Sequence, residues 1–213
     1  VHVAQLTVNA FAENTYVIWG AGPDCAIIDP GVSNAREQAA LESLLAEYQL
    51  TPTRCLLTHG HLDHILGLPW VERRYGLRPE LSAGEAEWLR RAPDVAAMYG
   101  LGQIEPMPAP AGFIQAGNDI VIGDLTLQVL STPGHSAASV CFYHAASAQV
   151  IVGDVLFAGS IGRTDLPGGD LPTLMRSIYE VLLPLGDAVS AYPGHGPSTT
   201  LGHERRTNPH LAC

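Results

Sequence analysis

Apolar residues recur along the chain at two spacings. The short runs VAQLTV (3–8), TYVIWG (15–20) and CAIIDP (25–30), broken by AEN and AGPD, predict strands. A helical spacing follows. Ala40, Leu41, Leu44, Leu45 and Tyr48 share one face of a helix over 33–48, with Asn34 and Glu37 as a capping pair. Pro52 ends that region, and RCLLT (54–58) predicts a buried strand. A second helix covers 64–75, and a third covers 84–98 with Pro93 interrupting it. Residues 100–117, rich in Pro, Gly and Ala, predict an extended connector. Beyond it IVIG, LTLQVLS, SVCFYHA and QVIVGDVLF are strands at hairpin spacing. Asp170 caps a helix with Leu174, Ile178, Val181 and Leu182 on one face; AVSAYPGHG is a last strand and loop, and LGHERRTN a short closing helix.

Strands and helices thus occur in both halves, as two sheets carrying helices on their outer faces would require. No linker or charge block divides the chain, so one α/β domain over 1–213 is expected. Its 213 residues, 46% hydrophobic, suffice for a substantial core. No apolar run approaches the roughly eighteen residues that span a bilayer, and the first residues lack the pattern of a secretory signal. Cys25, Cys55 and Cys141 lie in apolar runs and no CxxC pair exists, which fits core thiols and a reducing cytoplasm. The net charge is −10 and all eleven basic residues are arginine. Such a surface repels a phosphate backbone, which argues against nucleic acid and leaves a small molecule as substrate.

The chemistry concentrates in Thr58-His59-Gly60-His61-Leu62-Asp63-His64. Imidazole and carboxylate are the ligands a borderline divalent metal accepts. His59 and His61, two apart in an extended loop, project to one side. Asp63 and His64 enter a helix and point from another angle, which suits a second metal. Three single positions extend the set. His135 follows a strand in STPGHS, Asp154 ends the apolar run VIVGD, and His195 lies in YPGHG. A carboxylate at the end of an apolar strand requires a partner or a metal.

HxHxDH, a lone His, an Asp after an apolar strand and a final His resemble the metallo-β-lactamase fold superfamily. The Asp29-Pro30-Gly31 turn matches it too. The resemblance implies a four-layer αββα sandwich with the ligands on loops along one edge. True β-lactamases of that fold place a cysteine where this chain has Asp154 and lack His64, so the chain resembles the hydrolase branch. GRTDLPGGD (162–170), LLPLGD (182–187) and PGHGP (193–197), followed by Glu204-Arg205 and Asn208-Pro209, are similar to the short bacterial type II glyoxalase-like group, relatives of hydroxyacylglutathione hydrolase without its C-terminal helical domain.

That resemblance implies two divalent metal ions, with zinc expected and iron or manganese suiting the same ligands. His59, His61 and His135 would hold one, Asp63, His64 and His195 the other, with Asp154 bridging; Asp63 and Asp154 are the catalytic carboxylates. The metals would activate water and polarise a thioester carbonyl, and a thiolate of pKa about 8.5 leaves without a general acid. Tyr192, the one obvious acid nearby, reads as structural. Asp29 is expected to orient a ligand from behind it. Arg163 is the best anion contact in a chain without lysine, so the expected substrate is a thioester, possibly glutathione-linked, gripped more weakly than in longer enzymes. Two rivals share the scaffold: a persulfide dioxygenase using one iron, and a lactone hydrolase. A non-catalytic binding protein is disfavoured because all seven ligands are present.

Overall fold

The computed structural model describes residues 1–211. In chain order its elements are β1 (His2–Val8), β2 (Glu13–Trp19), β3 (Asp24–Ile28), α1 (Ala35–Glu47), β4 (Thr51–Leu56), α2 (Leu62–Ile65), α3 (Leu68–Tyr75), β5 (Pro79–Ser82), α4 (Ala86–Met98), β6 (Gly112–Ile114), β7 (Asp119–Ile122), β8 (Leu125–Ser131), β9 (Val140–His144), β10 (Gln149–Gly153), β11 (Leu156–Phe157), β12 (Ser160–Ile161), α5 (Leu171–Arg176), β13 (Ser190–Pro193), β14 (Thr199–Thr200) and α6 (Leu201–Thr207). The chain groups into two compact units: Val1–Ile114 with Val121–Leu125, and Gln115–Ile120 with the described residues from Thr126 onward.

The first unit carries a six-stranded sheet in the order β1-β2-β3-β4-β5-β6. β1, β2 and β3 pair antiparallel, whereas β3, β4, β5 and β6 run parallel. β2 is buried along its whole length. Leu41 and Leu45 of α1 pack with Val8, Val17, Cys25 and Ile27. Leu62, Ile65, Leu68, Leu89 and Ala96 of α2, α3 and α4 pack with Cys55, Leu57 and Leu81. Because β3, β4 and β5 point the same way, the loops after them leave one edge, the usual place for a site in a parallel sheet.

Several expectations shift in detail. Asn34 Oδ1 accepts from the Arg36 and Glu37 amides at 3.1 Å each, but Glu37 reaches back to Ser33 N at 2.7 Å rather than to the cap residue. The expected second helix is two, because Gly67 N leaves the helical ladder to donate to Pro30 O at 2.7 Å. Pro93 does not interrupt α4. Burial of Leu89, Ala92 and Ala96 on one face outweighs the roughly 3 kcal/mol a proline costs inside a helix. Pro52 lies within β4, not before it, and the connector ends in β6, a three-residue edge strand.

The second sheet runs β14-β13-β10-β9-β8-β7. β8 and β10 are each antiparallel to β9, and β13 is parallel to β10. β8, β10 and β13 therefore share one direction and end on one edge. Cys141, Val150 and Val152 pack beneath Leu174, Ile178, Leu182 and Leu201. A wider π turn over Ser177–Leu182 follows α5 and leaves Val181 only partly buried, off the expected stripe. QVIVGDVLF is two strands, since the chain turns at Asp154. Buried Glu204 ties α6 down, accepting from Gly159 N at 2.8 Å, Thr199 Oγ1 at 2.5 Å and Asn208 Nδ2 at 2.8 Å.

Among the described residues no helix is long and apolar enough to cross a membrane. Cys25, Cys55 and Cys141 are buried free thiols, as expected. Burial pushes the Cys25 thiol up to about 12 and raises Cys55 as well, so neither is a ready thiolate.

Candidate metal centre

The structure brings His59, His61, Asp63 and His64 together in the first unit, on the loop that leaves β4 and enters α2. The His59 ring lies 4.7 Å from that of His61 and 4.2 Å from that of His64. All three imidazoles are buried, while the Asp63 side chain stays 18% exposed, its Oδ2 3.8 Å from His64 Nε2. The loop passes close against α4. A Cβ on Gly60 would lie 2.7 Å from Trp88 Cβ and 2.8 Å from Glu85 O, so only glycine fits there. Glu85 Oε2 accepts the Gly60 amide at 3.0 Å and fixes that approach.

Asp29, at the end of β3, organises the imidazoles from behind. Its Oδ1 accepts from Thr58 N at 2.7 Å, and its Oδ2 accepts from Thr58 Oγ1 at 2.6 Å and His64 Nδ1 at 3.1 Å. Thr58 Oγ1 also lies 3.0 Å from His59 Nδ1. A hydroxyl has one proton; Thr58 gives it to Asp29, so the hydroxyl accepts from His59 Nδ1–H. Both rings therefore carry their proton on Nδ1 and present Nε2 as a lone pair, the form a metal requires. Asp29 sits at φ +51, a left-handed conformation held by Asp29 N donating to Leu56 O at 3.0 Å and Thr15 Oγ1 donating to Asp29 O at 2.8 Å. One oxygen of Asp29 lies close enough to His59 and His64 to share an ion with them. Its bonds to Thr58 and His64 give it the supporting role instead.

The second unit carries His135, Asp154 and His195 just past the ends of β8, β10 and β13. Asp154 Oδ2 stands 3.5 Å from His135 Nε2 and 3.6 Å from His195 Nε2. His135 Nδ1 is 2.8 Å from Arg163 O, an atom that only accepts, so this ring too presents Nε2 as a lone pair. Gly162 lets the loop cross over Asp154; a Cβ there would lie 1.8 Å from Asp154 O. Arg163 thus positions His135 through its carbonyl. Its guanidinium, more than half exposed, is bound to both Asp165 oxygens at 2.7 Å and holds the Asp165 carboxyl down to about 2. Tyr192 lies in β13, its phenol raised above the usual range by burial.

This donor set fits divalent cations. Hydrogen bonds from a ring nitrogen to oxygen fall at about 2.7–3.2 Å. Two ligands each about 2.1 Å from a tetrahedral ion stand about 3.4 Å apart. The separations of 3.5, 3.6 and 3.8 Å match ligands around an ion, and at His135 and His64 a lone-pair nitrogen faces a carboxylate oxygen, an arrangement that suits a cation between them.

Three contributors escape a reading of the sequence. Thr58 relays Asp29 to His59, and Glu85 and Trp88 shape the loop from α4; nothing in the spacing marks them. Glu13 had a signal, being a carboxylate in a strand otherwise fit for the core, as Asp154 is. It is fully buried with Oε1 3.7 Å from His64 Nδ1, and burial raises its acid well above the usual carboxylate range. Thr15 Oγ1 lies 3.1 Å from Glu13 Oε2 but has only one proton, shared with Asp29 O, so a protonated Glu13 completes that network.

Comparison with known proteins agrees. Residues 8–203 match the metallo-beta-lactamase superfamily. The chain is 36% identical to the hydroxyacylglutathione hydrolase GloC of Haemophilus influenzae, over 99% of this chain and 98% of that protein. It superposes on BLEG-1, titled a B3 metallo-beta-lactamase, with a TM-score of 0.91 at 35% identity over the whole of both chains. On TTHA1623, solved in a di-iron-bound form, the TM-score is 0.86 at 37% identity, covering 98% of this chain and all of that one. With an α/β architecture of two helix-flanked sheets and this match over nearly its whole length, the chain belongs to the metallo-β-lactamase superfamily and has its fold.

Proposed function

We propose that this chain is a thioester hydrolase of the glyoxalase II type, acting on small thioesters that include glutathione conjugates. His59, His61 and His135 would hold one divalent cation and Asp63, His64 and His195 a second, with Asp154 shared, the two units acting as one domain. Zinc is the expected metal; the di-iron form of TTHA1623 keeps iron as the alternative. Such cations would bring the pKa of water to about 7 and polarise a carbonyl.

The observation that carries the reading is one Asp154 oxygen flanked by two imidazole nitrogens at 3.5 and 3.6 Å. The chain's own residues do the orienting. Asp29 and Thr58 hold the rings of His59 and His64, the Arg163 carbonyl holds that of His135, and Glu85 keeps the loop against α4. A thiolate leaving group needs no proton from the protein. Arg163 would meet an anionic group of the substrate when it releases Asp165. Buried free thiols fit a reducing compartment, so we place the protein in the cytoplasm. A net charge of −10 argues against nucleic acid as a partner.

The test is thiol release from S-lactoylglutathione by protein carrying two metal equivalents. No thiol release, with one iron per chain and oxygen uptake on glutathione persulfide, would replace the hydrolase with an oxidoreductase. Faster turnover of acyl-homoserine lactones than of thioesters would move the substrate class. The likeness to BLEG-1 favours a second reading, amide hydrolysis in a β-lactam ring. A chromogenic cephalosporin turned over faster than the thioester would select it.

A further inference from the structure

We propose that Trp88 and Arg91, on the α4 face beside His61, form the subsite that reads a carboxylate on the substrate, the carboxylate seated on Arg91 and the adjoining planar amide stacked on the indole. The inference rests on the thioester reading and adds, in the first unit, a carboxylate contact separate from the one assigned to Arg163.

Four observations converge. The Trp88 ring meets the His61 ring edge-on, with centroids 4.7 Å apart at 87°, so the indole borders a proposed metal ligand. Trp88 is only partly buried and offers the rest of its surface to an incoming molecule. Its position is set by the backbone, since Glu85, the residue that caps the start of α4, clamps Gly60. Arg91, one turn further on, is exposed and lies over the Trp88 ring at 5.5 Å. Among the described residues no carboxylate forms an ion pair with Arg91. By contrast, Arg163 is bound to Asp165 through two nitrogens and Arg90 is paired with Glu87. A guanidinium stacked on an indole keeps its edge open for a carboxylate, which it takes with paired N–H donors. The chain has no lysine, so any cation that meets a substrate carboxylate must be an arginine.

The experiment compares S-lactoylglutathione with its dimethyl ester, which removes both carboxylate charges. The kcat/KM preference of the wild type for the diacid is expected to fall about tenfold in Arg91→Gln, carried by KM, as loss of about 1.4 kcal/mol implies. Arg90→Gln, next along the helix, is expected to keep the preference. An unchanged preference in Arg91→Gln overturns the subsite. Titration with S-methylglutathione, followed by indole fluorescence and compared with Trp88→Phe, separates the two ideas. Arg91-dependent quenching without thioester turnover keeps the subsite and removes the thioesterase. Turnover without Arg91-dependent quenching does the reverse.

Discussion

Replacing Asp29 by Asn keeps the volume and shape of the side chain and changes only its hydrogen-bonding capacity. The carboxylate accepts three bonds, from Thr58 N, Thr58 Oγ1 and His64 Nδ1. An amide can accept from Thr58 N with its oxygen, but then turns an NH2 towards the other two donors. Thr58 can rotate its hydroxyl to accept. His64 can accommodate the amide only by moving its proton to Nε2, the atom offered to a metal. At least one bond to a buried charged acceptor is lost, about 1.5–3 kcal/mol of stability. Metal affinity is expected to fall about 10- to 100-fold, the usual effect of removing such a support. The assay is chelator competition at neutral pH with metal analysis, together with thermal unfolding of the metal-free protein. Thr58→Val is expected to act through the same chain on His59. The double variant should therefore lose less than the sum of the two. Wild-type metal affinity in Asp29→Asn, or strict additivity with Thr58→Val, would refute the proposed control of the ring tautomers.

Gly60→Ala is expected to destabilise by about 1–3 kcal/mol, since its methyl would meet Trp88 Cβ and Glu85 O; a chemical melt unchanged from wild type would contradict the close approach. Glu13 binds its proton more tightly folded than unfolded, where its value is the ordinary 4.5. Its favourable contribution is therefore present below 4.5 and is lost as pH rises through the folded value. Glu13→Gln does not titrate and should gain on the wild type in urea melts as pH rises from 4.5; a pH-independent difference would count against a buried neutral acid. Asp124 accepts from Ala21 N and Gly22 N, which hold its carboxyl below 3.8, so its stabilisation exists above that value and fades in acid. The melting gap between wild type and Asp124→Asn should close as pH falls below 3.8; a gap that persists would contradict the bond's charge dependence.

The candidate ligands stood out in the sequence because metal chemistry restricts residue type and spacing together. His59 to His64 fall within six positions just past β4, and a carboxylate after the apolar run VIVG is costly without a partner. Helix α1 was legible from its Asn34 cap and from Leu41 and Leu45, which are buried, although Ala40 and Tyr48 of the expected face are exposed. Breaks in elements were not. Gly67 ends a helix through a bond to Pro30, thirty-seven positions away in sequence, and Pro93 is tolerated because of what Leu89 and Ala96 bury. β5 was missed since PELS, four residues opening on a proline, is too short for its alternation to stand out and is held by parallel neighbours on both sides. Roles that depend on partners, such as Thr58 to Asp29 or Arg163 to Asp165, became visible only with coordinates. The guanidinium assigned to substrate from sequence is bound to Asp165, and its carbonyl supports His135.

Metal analysis of the wild type beside His61→Ala and His135→Ala tests the central claim most directly, because these residues come from different units yet are assigned to one ion. The account predicts two equivalents per wild-type chain, and about one in each variant and in the double variant alike. Two equivalents retained in either single variant, or none left in the double variant while each single variant keeps one, would contradict it.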